Sequence, residues 1–291
     1  MRKLAILLII FFYQTTIYSQ SEKYSFKIEI KGKGKPIILI PGLASSGKVW
    51  EQTTDTLEKK YECHIMTLAG FANQKAISLE KGYLPIIKKE IIKYIQNELN
   101  EKPILIGHSL GGFLSLSIAS SQPTLLEKII IVDSYPFYSL IFNPNATVEN
   151  VIPQAKMTKE MVISTSDSLF SQQQKVTMST MISDSKNINI ATEWSLQSDR
   201  KTIAQAMYEI MTTDLRSDIE KIKIPILVFG SWYGAKDYGV TKEMVQKNYE
   251  NQFSKVENCK IEVAKTAKHF VMWDEPKWFI NLVESFLNYE K

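Results

Sequence analysis

Short apolar runs alternate with amphipathic stretches along most of the chain. Pro36-Ile37-Ile38-Leu39-Ile40 is continuously apolar and stops at Pro41-Gly42; Pro103 to Ile106 and Pro225 to Phe229 have the same character, as does Lys128 to Val132 after its first residue. A brief apolar run bounded by turn formers is the mark of a strand buried on both faces. Tyr24 to Ile30 alternates apolar and polar positions, as a strand with one wet face does, and Tyr61 to Leu68 and Lys260 to Val263 complete the set. Helical patterns fall between them, at Val49 to Glu58, Leu84 to Leu99, Leu110 to Ser120, Lys201 to Met211, Thr241 to Phe253 and Pro276 to Tyr289. Strands apolar on both faces and separated by helices predict an α/β fold, a mostly parallel central sheet with helices on both faces.

The rhythm stops after Pro136. From Phe137 to Ser198 the pattern is polar and Met-rich, broken at Asn143-Pro144 and Pro153, with helical stretches around Lys159 to Leu169 and Val176 to Ile182. The α/β alternation then resumes. This predicts a mainly helical cap at 137–198 inserted into a core domain made of 20–136 and 199–291.

The first residues follow a different logic. Arg2 and Lys3 precede an apolar run from Leu4 to Tyr13, too short for a permanent bilayer span, and small and polar residues follow up to Ser21. A charged start, a short apolar middle and a small residue at the exit predict a secretory signal peptide at 1–19, cleaved near Ser19. An exported protein, periplasmic or secreted, is expected, with an uncleaved anchor as the competing reading. No cysteine follows the run to accept a lipid, and no other segment is apolar enough to span a membrane. The composition is that of a globular protein, 44% hydrophobic and 23% charged. A net charge of +4, two units of it inside the leader, gives no reason to expect a nucleic-acid partner.

Gly107-His108-Ser109-Leu110-Gly111 matches the G-x-S-x-G nucleophile elbow. The bare pattern is weak, but here an apolar strand precedes it and a helix follows, as the turn requires. A serine hydroxyl needs a base to take its proton. Of three histidines, His108 adjoins Ser109 and must point elsewhere, and His64 lies inside a strand as a core or surface residue. His269, in the loop before the last helix, is left as the base.

The third member is an acid that orients the imidazole. Asp237, between serine and histidine after the Pro225 strand, is favoured. Asp133, at the end of the strand following the elbow helix, is the rival. Asp214 falls beside a helix, and Asp274 follows His269 too closely. Backbone N–H groups of Leu110, just after the nucleophile, and Leu43, just after Pro41-Gly42, are the expected oxyanion donors.

Together the blocks IILIPGLASSGKVW, LIGHSLGG, IIIVDSYPF, IPILVFG and HFVMWDEPKWF resemble, in order, the α/β-hydrolase superfamily over nearly the whole mature chain. The likeness is to its esterase-type branch with a helical cap. It implies hydrolysis of a small-molecule carboxylic ester through an acyl-serine intermediate. A lactone, thioester or amide is the alternative bond, and a non-catalytic binding protein a more distant reading. A dehalogenase would carry a carboxylate at position 109.

Two departures stand out: Pro41-Gly42 where many relatives carry His-Gly, and six residues, Ser231 to Lys236, between the strand-ending glycine and Asp237. No cofactor or metal is expected, since there is no dinucleotide fingerprint and the three histidines are scattered. The likeness also puts Cys63 on an inner strand and Cys259 at the far edge, so both cysteines are expected to be free and buried. Phe137, Tyr138, Phe142, Met157 and Met161, with Trp232 and Tyr233, are candidates to line the substrate pocket.

Overall fold

Seven strands form one sheet, in the order β1-β3-β2-β4-β5-β6-β7, in a computed structural model that describes residues 23–288. They are β1 (Phe26–Lys31), β2 (Lys35–Ile40), β3 (Tyr61–Leu68), β4 (Ile104–His108), β5 (Lys128–Val132), β6 (Ile226–Gly230) and β7 (Cys259–Val263). β1 is antiparallel to β3, and all other neighbours are parallel. The signal peptide expected at 1–19 lies outside the described residues.

Ten α-helices accompany the sheet among the described residues: α1 (Glu51–Leu57), α2 (Leu84–Glu98), α3 (Leu110–Ser121), α4 (Val148–Ser164), α5 (Asp167–Met181), α6 (Ser185–Leu196), α7 (Arg200–Thr212), α8 (Lys242–Gln252), α9 (Val271–Asp274) and α10 (Pro276–Leu287). The central strands are buried along nearly their whole length because both faces are covered. Side chains alternate across the sheet. Ile38 and Ile40 therefore join one core with Ile87 and Ile91 of α2 and Phe113 of α3. Ile37 and Leu39 join another with Leu57 of α1 and Phe279 and Val283 of α10. The two cores, one on each face, hold the sheet rigid, and the carboxyl ends of its parallel strands carry the site.

The segment between β5 and α7 is helical, as expected, but its boundaries differ from the sequence reading. The stretch predicted at 159–169 straddles the break between α4 and α5, where the Ser166 hydroxyl accepts the N–H of Leu169 and starts the new helix. Pro153 does not interrupt the chain. It sits inside α4, whose start is fixed by a capping box between Thr147 and Asn150. The proline forfeits one backbone donor there, and the helix continues. α6 has no counterpart in the apolar pattern of the sequence; Asp184 caps it by accepting the N–H of Asn187. α4 packs on α7, and α5 on α6.

Both cysteines are free. Four strands separate β3, which carries Cys63, from β7, which starts at Cys259. At roughly 4.8 Å per strand that gap is far beyond the ~7 Å Cα separation a disulfide allows. Cys63 is buried, whereas Cys259 is only half-buried because β7 is an edge strand. Burial pushes each thiol up to about 12. The native protein should therefore react slowly with an aromatic disulfide reagent at pH 8 and release two thiol equivalents once denatured. Rapid native labelling at Cys63 would contradict this packing.

Candidate active site

β4 passes into α3 through a single residue, Ser109, at φ 51° and ψ −115°. A non-glycine residue at positive φ is strained and persists only where its surroundings hold it. Here the Ser109 N–H donates to the Val132 carbonyl at 2.8 Å, and the Phe113 N–H donates to the Ser109 carbonyl at 3.0 Å. The flanking glycines are required by contact. A Cβ at Gly107 would lie 2.2 Å from the Gly111 carbonyl oxygen, and one at Gly111 would lie 2.2 Å from that of Ile40. The strained strand-to-helix turn expected at GHSLG is therefore present, with its serine half-buried at the sheet edge.

The parallel register sets His108 beside Val132 and Val132 beside Phe229. The residues that follow, Ser109 and Asp133, therefore leave neighbouring strands side by side, next to Gly230 at the end of β6. Asp133 also has positive φ, 47°, and its N–H donates to the Phe229 carbonyl at 2.7 Å. Its carboxylate gathers four donors. Oδ2 accepts from His269 Nδ1 at 2.6 Å and from the Ser231 hydroxyl at 2.7 Å. Oδ1 accepts from the Ser231 N–H at 2.8 Å and from the Tyr249 phenol at 2.9 Å. A carboxylate so engaged only accepts, so Nδ1 of His269 carries the proton and Nε2 presents its lone pair.

The carboxylate beside His269 is thus that of Asp133, not Asp237. Asp237 lies exposed in the 3-10 helix Tyr233–Tyr238. The six residues after Gly230 explain the difference. Ser231 turns in to Asp133, the Trp232 indole donates to the Ala264 carbonyl at 3.2 Å, and the rest coils outward. The chain has already supplied the carboxylate with donors before it reaches position 237.

His269 is held from two sides. Nε2–H of the buried His108 donates to its backbone carbonyl at 3.1 Å, and the two imidazoles lie 4.5 Å apart. The loop is also fastened to the end of α5. Lys268 Nζ donates to the carbonyls of Ser179 and Ile182, Asp274 accepts from the N–H and hydroxyl of Ser183, and the Phe270 N–H donates to the Met181 carbonyl. A lysine on the last carbonyls of a helix answers both unmet acceptors and the helix dipole.

The loop after β2 packs against the elbow. A Cβ built on Gly42 would lie 3.3 Å from Ser109 Cβ. The N–H groups of Leu43 and Leu110, the expected oxyanion donors, have no hydrogen-bond acceptor among the described residues. Leu110 opens α3, where unpaired N–H groups face outward.

The remaining candidates divide. His64 is a satisfied core histidine, with Nδ1 2.6 Å from the Tyr94 phenol and Nε2 2.9 Å from Glu62. Phe137 is fully buried in a small cluster with Ala146 and Val151, so it packs rather than lines a pocket. Phe142, Met157 and Met161 are exposed, and Tyr138 and Tyr233 are half-buried. Ser231 and Tyr249 carry no sequence signal, because no local pattern marks a residue that reaches a carboxylate across strands or from a distant helix.

Residues 35–276 match the family model of the alpha/beta hydrolase fold. The chain belongs to that family. It is 23% identical over 260 residues to the pimeloyl-[acyl-carrier protein] methyl ester esterase of Aliivibrio fischeri strain ES114, covering 89% of this chain and 96% of that one. It has the same identity over 221 residues to the protein of that name from Vibrio atlanticus, covering 74% and 83%. Among solved structures, a hydrolase from Pseudomonas aeruginosa superposes with a TM-score of 0.75 at 13% identity, covering 91% of this chain and 94% of that one. An esterase from Exiguobacterium antarcticum superposes with a TM-score of 0.72 at 17% identity, covering 91% and 96%.

Burial, and then the neighbouring His269, hold His108 well below the usual histidine range; its hydrogen bond to the His269 carbonyl opposes this only in part. Burial lowers His64 as well, against the pull of Glu62. The unfolded chain therefore takes up protons near pH 6.5 that the folded one refuses. Stability is full above that pH and is lost progressively as pH falls below it. Thermal melts from pH 7.5 to 5 should show a falling midpoint, with a shallower slope in His108→Gln. An identical slope in that variant would remove His108 as a source.

Proposed function

We propose that the protein is a carboxylic-ester hydrolase in which Ser109 is the nucleophile, His269 its base and Asp133 the acid that orients the base. The observation that carries this reading is the 2.6 Å pairing of His269 Nδ1 with Asp133, alongside a serine held at positive φ where a strand meets a helix. The curated relatives, methyl ester esterases by name, support an ester as the bond cleaved.

The chemistry follows from the arrangement. Ser109 Oγ attacks the ester carbonyl while His269 Nε2 takes its proton. The imidazolium so formed is stabilised across Nδ1–H by the Asp133 carboxylate, which stays ionised. The N–H groups of Leu43 and Leu110 receive the oxyanion. Collapse expels the alcohol, which takes the proton from His269, and leaves an acyl-serine. Water, deprotonated by the same imidazole, then attacks the acyl carbonyl; the bond to Ser109 Oγ breaks, the acid leaves and Oγ takes the proton back from His269. These steps ask no cofactor of the protein.

Ser109→Ala should abolish both ester hydrolysis and covalent labelling by a fluorophosphonate while the fold survives. Stoichiometric labelling of that variant would remove Ser109 from its role. Loss of the orienting acid costs roughly 10⁴ in kcat in the serine-protease case. Asp133→Asn should fall by a comparable factor, with Asp237→Asn near wild type in the same p-nitrophenyl ester assay. The reverse ranking would return the role to Asp237.

Export belongs to the same proposal, since the charged and apolar start of the chain has the make-up of a secretory leader. N-terminal sequencing of native material should find a mature chain beginning near Gln20. A soluble protein retaining Met1 would overturn this part.

A further inference from the structure

We infer that Tyr249, a fully buried residue of α8, is a positioning residue for this site, its phenol fixing which oxygen of Asp133 meets His269. The inference rests on Asp133 as the orienting acid and extends the site to a helix that no catalytic residue occupies.

The reason lies in how the carboxylate could move. The last torsion of an aspartate is soft, so one donor on each oxygen leaves the group free to pivot. Here Oδ1 is held by two donors from different elements, the Ser231 N–H at the end of β6 and the Tyr249 phenol from α8. With Oδ1 so pinned, Oδ2 is turned toward His269 Nδ1, and the Ser231 hydroxyl closes on its remaining side. Removing the phenol leaves Oδ1 with a single donor, and the plane of the carboxylate is then held by Ser231 and His269 alone.

Tyr249 is itself placed with little freedom. Its ring stacks on that of Tyr135 at 4.0 Å and 15°. A Cβ at Gly230 would come within 2.4 Å of Tyr249 Cε2, so the strand-ending glycine is the room the ring occupies. The Gln252 side chain of the same helix accepts the Phe137 N–H at 3.0 Å, tying α8 to the chain just beyond Asp133. Burial, reinforced by the Asp133 charge, raises the phenols of Tyr249 and Tyr135 well above their ordinary value, so Tyr249 stays a donor throughout the working range. A buried phenol that merely needs an acceptor can use a backbone carbonyl, as Tyr83 does with Ala69 at 2.8 Å. Tyr249 instead uses the one carboxylate that holds the base.

A double-mutant cycle tests this. Tyr249→Phe deletes one oxygen and keeps the stacked ring, so the fold is retained. It is compared with Asp133→Asn, with the double variant and with wild type, by kcat and KM on a p-nitrophenyl ester and by the rate of fluorophosphonate labelling of Ser109. Tyr249→Phe should lower kcat and the labelling rate about tenfold with KM unchanged, and should cause no further loss in the Asp133→Asn background. Ser231→Ala, which removes the hydroxyl on Oδ2 but leaves the N–H on Oδ1, should show a smaller loss.

If Asp133→Asn is severe while Tyr249→Phe stays within about twofold of wild type, the inference falls and the Asp133 assignment stands. Equal losses from Tyr249→Phe in both backgrounds would mean the phenol does not act through Asp133, and would overturn the inference too. A nearly wild-type Asp133→Asn would instead sink the assignment on which it rests.

Discussion

A carboxylate withdrawn from water must be surrounded by donors, or it neutralises or unfolds its surroundings. The Asp133 side chain, 9% exposed, meets this requirement with four donors drawn from three places: the end of β6, α8 and the loop before α9. Much of the local architecture follows from that one group. The backbone at Asp133 is bent to positive φ to lift the carboxylate out of the sheet. β6 must end in a residue without a side chain, so that the ring of Tyr249 can pass. The next residue must offer both an N–H and a hydroxyl. Beyond Ser231 the chain turns outward through Trp232 into the 3-10 helix Tyr233–Tyr238, which leaves Asp237 in solvent.

The same sheet edge holds a second strained residue. Ser109 and Asp133 both leave parallel neighbours at positive φ, each braced by an N–H donated to the next strand, to Val132 in one case and Phe229 in the other. Such strain costs on the order of 1–3 kcal/mol at each position and needs a rigid frame to persist. The frame is the pair of cores on the two faces of the sheet. The histidine loop, by contrast, is fixed partly from outside the sheet, through Lys268 and Asp274 on the end of α5. The placement of His269 is thereby coupled to the helical segment that follows β5.

The sheet is legible in the sequence because its central strands are short apolar runs with turn formers at their ends, a pattern that survives without tertiary information. Ser109 is legible because glycines on both sides of it can be read locally, and His269 because elimination among three histidines leaves little choice. The acid is not. Choosing between Asp133 and Asp237 requires the register of β5 against β6 and the path of residues 231–236, and both are decided by packing between elements distant in sequence. The boundaries of α4, α5 and α6 are hidden for a related reason: their caps are ordinary Thr, Ser and Asp residues in a polar stretch, and few of their side chains reach a core. Phe137 illustrates the reverse error, where an aromatic near the predicted cap reads as a lining residue although a small local cluster consumes it.

His108 shows how the site tolerates a second imidazole beside His269. In the proposed mechanism, proton transfer from Ser109 places a positive charge on His269, whose ring lies 4.5 Å from that of His108. Two imidazolium groups at that distance would repel strongly in a medium of low polarity. Burial removes the conflict by keeping His108 neutral, and a neutral ring with its proton on Nε2 still donates to the His269 carbonyl. The consequence is an Nδ1 acceptor with no hydrogen-bond partner among the described residues. An unsatisfied buried polar atom costs about 1–3 kcal/mol. An apolar residue at position 108 would escape that penalty but would release the backbone of His269. The unpaired nitrogen is therefore best understood as stability given up to hold the His269 backbone in place.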